Sequence, residues 1–188
     1  MDKIYKSNYV IQQKLESHIE LSKFNPSSLN TIRVLTYRSV NSNKINILNC
    51  VLRVGAEGAV VDNSRAGGVA IGIDSAGRLN NFATDKSGSK KFKLSEYDLS
   101  KKFSIPKFDN ILQLAKTIAA KNIHHRLLGL DMVVNESGNI NCVEVNNKGN
   151  EINFFQFNNG PLFGEFTDEI AEYCFDNMSK IYRYYAWK

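Results

Sequence analysis

Apolar and polar residues alternate through the first third of the chain. Tyr9 to Leu15, "LNTIRVLTY" from Leu29 to Tyr37 and "INILNCVLRV" from Ile45 to Val54 each read as a strand. After the loop "GAEGAVVDNSRAGG", the segments "VAIGID" and "RLNNFA" predict a hairpin about Ser75 to Gly77. Residues 84–107 are Lys- and Ser-rich with one proline and predict an irregular excursion. The period then changes. "FDNILQLAKTIAAK", Phe108 to Lys121, places apolar residues at 111, 112, 115, 118 and 119, the stripe of an amphipathic helix. Thr167 to Tyr184 is a second helix candidate, with Thr167 as N-cap and Glu169 in its first turn.

"GLDMVVNESGNINCVEVN", residues 129–146, reads as two strands joined by a polar turn. Alternation sets Leu130, Met132 and Val134 on one face, with Val143 and Val145 on the matching face of the second strand. A four-residue turn, Glu136 to Asn139, pairs Asn135 with Ile140 and brings Asp131 opposite Glu144. That register leaves Ile140 on the polar face. Like charges directly opposite destabilise a sheet, so a positive group is expected between the two acids.

Strands, a helix, a strand pair and a last helix predict an α+β fold: a mostly antiparallel sheet with helices on one face and the other face left for a ligand. At 188 residues and 43% apolar content, the chain fits a single domain, 1–188, with a sizeable core. No apolar run approaches the length of a membrane span, and the start lacks the apolar segment of a secretion signal. A cytoplasmic protein is expected. Cys50, Cys142 and Cys174 are odd in number and far apart, which suggests neither a disulfide framework nor a zinc site. The net charge of +5, densest at Lys86 to Lys93 and at "LSKKF", suits an anionic ligand and is equally ordinary for a Lys- and Asn-rich chain. Nucleic acid is the less favoured partner.

Magnesium prefers carboxylate and amide oxygens and needs only one or two protein carboxylates beside phosphate and water. Asp131, Glu144 and Asn146 supply such a set, since Glu144 and Asn146 emerge on one face and Asp131 approaches from the neighbouring strand. The competing reading is acids on the wet face of an ordinary hairpin. Arg33 and Arg53 interrupt apolar strands, and a guanidinium there should face an anion, with phosphate the natural one, or pair with a structural acid. Asn63, Arg65, Gly67 and Gly68 lie in a loop that is either a plain turn or a close approach of backbone to phosphate oxygens. It is no Walker loop, and no dinucleotide fingerprint occurs. His18, His124 and His125 lack metal-ligand spacing, and no nucleophile elbow is present. The tail "IYRYYAW" could stack bases, cap a core or meet a partner subunit.

The ordered blocks "YVIQQKLESH", "NTIRVLTY", "VLRVG", "VDNSRAGGV", "GLDMVV" and "CVEVNN" resemble the C-terminal half of an ATP-grasp protein, in the sugar-transfer-associated branch and more distantly the glutamate ligases. The resemblance spans roughly residues 8 to 175. It implies ATP-dependent carboxylate ligation to an amine or thiol through an acyl phosphate, in cell-surface polysaccharide biosynthesis, with ATP and Mg2+ as cofactors and a small carboxylate or sugar-linked substrate. Carried over by position, Asp131, Glu144 and Asn146 would hold magnesium, while Arg33 and Arg53 would steady the transferring phosphoryl group. Gln12, Gln13, Lys14 and Leu15 would be the hinge strand that reads adenine, with Glu16 or His18 near the ribose. Asn63, Gly67 and Gly68 would form a loop beside the reaction centre. The family's unit has two lobes, and this chain is expected to be the C-terminal lobe with the N-terminal one absent. A separate N-terminal lobe or a homo-oligomer is then the expected partner. The alternative is a non-catalytic nucleotide- or protein-binding module derived from such a lobe.

Overall fold

The computed structural model describes residues 13–56, 58, 67–94 and 96–178. A short helix, α1 (Ile19–Ser22), leads into β1 (Thr31–Arg38) and β2 (Ile45–Val54), followed by the hairpin β3 (Val69–Ile73) and β4 (Leu79–Thr84). Three strands of two residues follow, β5 (Lys90–Lys91), β6 (Lys93–Leu94) and β7 (Tyr97–Asp98). Then come α2 (Phe108–Lys121), β8 (Leu127–Val134), β9 (Ile140–Asn146), α3 (Ile152–Asn159) and α4 (Thr167–Asp176). Seven strands form one antiparallel sheet in the order β5-β4-β3-β2-β1-β8-β9, and β6 pairs only with β7. The α+β class and the antiparallel sheet match the sequence pattern. Among the described residues, no helix is long and apolar enough to cross a membrane.

The two faces of the sheet do different work. On one, Ile32, Val34, Leu52, Ile71, Leu130 and Met132 meet the α2 stripe of Phe108, Ile111, Ala115 and Ala119, and this is the main core. On the other, α3 lays Phe154 and Phe155 over Leu35, Val51 and Ala70, with Leu162 closing the cluster. This smaller helix, absent from the sequence reading, covers one end of the second face. Gly72 permits its approach, because a Cβ there would lie 2.1 Å from Asn159 Oδ1 and 3.0 Å from the Asn158 carbonyl oxygen. Asn159 Nδ2 in turn donates to Asn49 Oδ1 (2.6 Å) and to the Cys50 carbonyl (2.9 Å).

Several details depart from the pattern. The turn of the β8–β9 hairpin is shorter by one residue: Asn135 N donates to Asn139 O at 2.9 Å, and Val134 pairs with Ile140. Gly138, at φ 73°, supplies the left-handed residue this turn requires. The surplus residue reappears as a bulge at Val143, beyond which Asp131 stands opposite Glu144 as expected. Ile140 and Cys142 therefore pack against the core, while Val143 and Val145 are 38% and 43% exposed. The Phe166 position, not Thr167, caps α4, since a 3-10 turn at Gly164–Phe166 already feeds the helix and Thr167 Oγ1 donates back to Gly164 O at 2.7 Å. Where the described part of that strand was expected, Gln13 to Leu15 are irregular, and Ser17 bridges Asn135 at the edge of the β8–β9 hairpin. Tyr9 to Gln12 and the aromatic tail lie outside the described residues.

Candidate functional site

On the second face, beyond the end that α3 covers, alternation brings charged residues onto the sheet. Thr31, Arg33 and Leu35 share one side of β1, and Val51 and Arg53 share the same side of β2. In register, Arg33 stands opposite Asp131, and Asp131 opposite Glu144. One row thus crosses three strands as cation, anion, anion.

Asp131 is 3% exposed and receives both arginines. Arg33 Nε donates to Oδ1 and Nη2 to Oδ2 (2.7 Å), while Arg53 Nη1 donates to Oδ2 at 3.1 Å. The positive charge meets Asp131 as this guanidinium pair, which comes from β1 and β2, on the side of Asp131 away from β9 and Glu144. A bidentate carboxylate fixes the plane of a guanidinium as well as its charge. Asp131 therefore orients Arg33 and Arg53 against the sheet, and both side chains line the same cavity.

That cavity is open, about 1000 Å³, and lies between the charged row and the segment 13–31. This is ample for a nucleotide-sized ligand, since cofactor sites run to roughly 300–1,000 Å³. Gln13, Lys14, Leu15 and Glu16 line it opposite Glu144, with Ser17, Ser27 and Ser28 beside them. The segment is anchored by fully buried Asn30, whose Nδ2 donates to Leu21 O and Asn25 O (both 2.9 Å) and whose N–H reaches Ser17 Oγ at 3.0 Å. Among the described residues, three cationic and three anionic side chains line the cavity: Lys14, Arg33 and Arg53 against Glu16, Asp131 and Glu144. Burial raises the Cys142 thiol, which lies beside the cavity-lining Val143, and pushes that of Cys50 up to about 12, so neither is poised as a thiolate.

The structure thus gathers Arg33, Arg53, Asp131, Glu144, Gln13, Lys14, Leu15 and Glu16 around one cavity. Of the other candidates, those among the described residues do not line it. His18 caps α1, its Nδ1 accepting from Glu20 N at 3.3 Å. Gly67 lines a separate cavity with Phe24 and Lys93, and Gly68 is buried just ahead of β3. Asn146 lies one row further along β9, opposite Gly129. Gln12 and Asn63 lie outside the described residues. Ser17, Ser27 and Ser28 went unread because loop residues carry no periodicity; Thr31 was missed too, although its two-residue spacing from Arg33 puts it on the same face.

A profile of sugar-transfer associated ATP-grasp proteins matches residues 4–171, nearly the whole chain. The chain belongs to that family. No match was found among curated proteins or among solved structures. ATP-grasp membership carries ATP-dependent, ligase-like or sugar-transfer-associated function in general terms, and ATP-grasp domains generally bind ATP and Mg2+.

Whether these residues suit magnesium can be tested on the donor set. Among the described residues no cluster of three His, Cys, Asp or Glu side chains is found, so an all-protein cage is excluded there. Magnesium does not need one. A carboxylate offers about four lone-pair sites, and the arginines take three hydrogen bonds at Asp131. Glu144, exposed on the cavity wall, stands across from it. Two carboxylates with phosphate and water complete a magnesium shell, and the residues fit.

Proposed function

We propose that this chain is the acid- and arginine-bearing lobe of an ATP-dependent carboxylate ligase, acting in the cytoplasm on a carboxylate donor and an amine, thiol or sugar-linked acceptor for cell-surface polysaccharide. The observation that carries the reading is the Arg33–Asp131–Arg53 cluster facing Glu144 across a nucleotide-sized cavity. Gln13, Lys14 and Leu15 would lie along the base, with Glu16 toward the ribose. A complementary lobe, from a partner chain or a second copy, would close over the cavity.

In the reaction, an oxygen of the donor carboxylate attacks the terminal phosphorus of ATP. The bond to the bridging oxygen breaks and ADP leaves, giving an acyl phosphate. The acceptor's nucleophile then attacks the acyl carbon, loses its proton and expels phosphate. Arg33 and Arg53 supply fixed positive charge beside the phosphoryl oxygens in both steps, and Asp131 holds them without reorganisation. Magnesium, held by Asp131 and Glu144 with Asn146 two residues on, would neutralise phosphate charge. The balanced wall supports this pairing. Three cations matched by three anions attract a bare triphosphate weakly and suit a nucleotide whose charge a dication has already reduced.

Glu144→Gln is the test, because Glu144 is exposed and its loss leaves the Arg–Asp cluster intact. Calorimetric titration should show ATP binding that requires magnesium and weakens at least about tenfold in the variant. Binding indifferent to both magnesium and Glu144, or none at millimolar nucleotide, overturns the reading. One observation favours the alternative, a non-catalytic module: both Asp131 oxygens are occupied by arginine. That alternative predicts no magnesium-dependent binding, so the same titration separates the two.

A further inference from the structure

The positive charge of the chain is gathered in one place. Residues 84–107 carry seven lysines against three acids, +4 of the whole chain's formal +5. The two densest blocks, Lys86 to Lys93 and "LSKKF", are apart in sequence, and the fold joins them. β6 pairs with β7, setting Lys93 opposite Asp98, and Leu99 N donates to Phe92 O at 3.0 Å. Lys86, Lys90, Lys91, Lys93, Lys101 and Lys102 are all exposed. Two of the three acids close turns instead of capturing them: Asp85 Oδ1 accepts from the N–H groups of Ser87 and Ser89, and Asp98 Oδ1 from that of Ser100. Among the described residues, none of these lysines forms an ion pair.

Three features of this patch select among anionic partners. All seven cations are lysine, so the patch lacks the planar guanidinium fork that reads phosphates and base edges in nucleic acid. Phe92, between Lys91 and Lys93, is 59% exposed. Lys91 and Lys93 also line a cavity of about 390 Å³ with buried Phe24, Val54, Val69 and Leu94, an apolar floor beneath a cationic rim. A phosphate joined to hydrocarbon, as in a phospholipid, matches both parts of it. The charge of the rest of the chain gives the patch a direction. Residues 164–178 hold five acids and no base, and α4 docks at Tyr37 of β1, with β2, β3 and β4 between it and β5. An anionic surface attracts one side of the molecule and repels the other.

We propose that the lysine-rich excursion docks the chain on a bilayer containing anionic lipid, its lysines against the phosphate headgroups and Phe92 in the boundary between headgroups and acyl chains. Lysine suits this position, because its aliphatic stem lies along apolar surface while the ammonium stays wet. A single apolar anchor holds a protein to a membrane only marginally and needs a basic patch as its second signal. Each lysine beside an anionic leaflet strengthens binding by about fivefold. Pro26 and Ser27 line both the apolar-floored cavity and the nucleotide-sized one, so docking at this rim holds the candidate site close to the bilayer. The inference does not depend on the ligase reading.

The test is co-sedimentation of the full chain with phosphatidylcholine vesicles, with and without about one third phosphatidylglycerol. Binding that requires the anionic lipid and weakens as salt rises is expected. Lys91→Gln with Lys93→Gln should weaken it roughly twentyfold. Phe92→Ser, which leaves every charge in place, should weaken it roughly tenfold, and Phe92→Leu should restore most of that loss. These side chains are exposed, so circular dichroism of each variant should match that of the parent. No binding to the anionic vesicles, equal binding to phosphatidylcholine alone, or unchanged binding in either the lysine or the serine variant overturns the proposal. Tighter binding to a single-stranded oligonucleotide than to the anionic vesicles, lost in the same lysine variant, overturns it in favour of nucleic acid. Mg-ATP titration of the lysine variant should give the parent's result, so this docking surface and the ligase reading fail separately.

Discussion

Two ends of one sheet face are built from the same strands and sealed in opposite ways. At one end Leu35 and Val51 lie beneath the phenyl rings of α3. Two residues along each strand, at the same side, Arg33 and Arg53 converge on Asp131 and border an open cavity. The apolar end needs a lid, since its stability comes from area removed from water. The charged end satisfies itself. Because its guanidiniums pair with the Asp131 carboxylate within the sheet, it can border an open cavity without an apolar cover. Side-chain alternation, shifted by one class of residue, turns a packing surface into a binding surface.

The sharpest way to break this comparison is Asp131→Ala. Two largely buried guanidiniums lose the carboxylate that orients them, and a loss of about 3–5 kcal/mol is expected in chemical denaturation. Replacing the whole cluster, Arg33→Met with Arg53→Met and Asp131→Leu, should instead leave stability unchanged or raise it by about 1–4 kcal/mol while removing nucleotide binding. If the triple variant were as unstable as the single one, the charged end would owe its order to something other than internal pairing. At the apolar end, Leu35→Ala should cost about 2–5 kcal/mol by the same measurement, with no comparable rescue by a polar partner. Gly72→Ala tests the lid itself: its methyl meets Asn159 and the α3 backbone, and a cost of about 1–3 kcal/mol is expected, with amide exchange in α3 accelerated ahead of the sheet.

The smallest effect concerns α4, which has no buried residue and docks through Glu169, accepting from Tyr37 Oη and Val40 N, both at 2.8 Å. Burial, with the Glu169 hydrogen bond, pushes Tyr37 up to about 12 from 10.0. The folded state therefore holds the phenolic proton more tightly than the unfolded one, and the contribution is complete below pH 10 and is lost as pH rises toward 12. Burial works against ionisation of Glu169, yet its hydrogen bonds from Tyr37, Ser39, Val40 and Asn41 outweigh it and hold its pKa below the usual 4.5, so its contribution is lost on acidification through that range. Exchange of α4 amides with pH should rise at both extremes and stay flat between them. A monotonic profile would break the assignment of Glu169 as the latch.

How much of this was legible in the chain differs by element. The range of α2 follows from its stripe, and that of β2 from "INILNCVLRV", because one buried face imposes one period. α3 went unread: in "INFFQFNN" apolar residues point to several sides, and Ile152 and Phe157 stay 44% and 39% exposed, so no single stripe marks it. The bulge at Val143 was equally hidden, since alternation alone cannot say which residue is surplus. Its trace was Ile140, which a regular ladder placed on the wrong face. Within the site, Arg33 and Arg53 stood out because charge inside an apolar strand demands a partner, and Asp131 with Glu144 followed from register. Which anion the arginines meet could not be read, because the pairing depends on three strands whose order no local pattern encodes.

The extra residue in β9 sits in the ribbon and not in its turn. Shortening the chain at Val143 would keep all the pairings from Gly129–Asn146 to Val134–Ile140 in place. What would change is the coiling of the ribbon, which sets how far the Glu144 side chain leans toward its opposite number. The strand thus carries a built-in adjustment screw: one position through which related sequences could widen or narrow the gap between the two acids without touching the arginines or the main core.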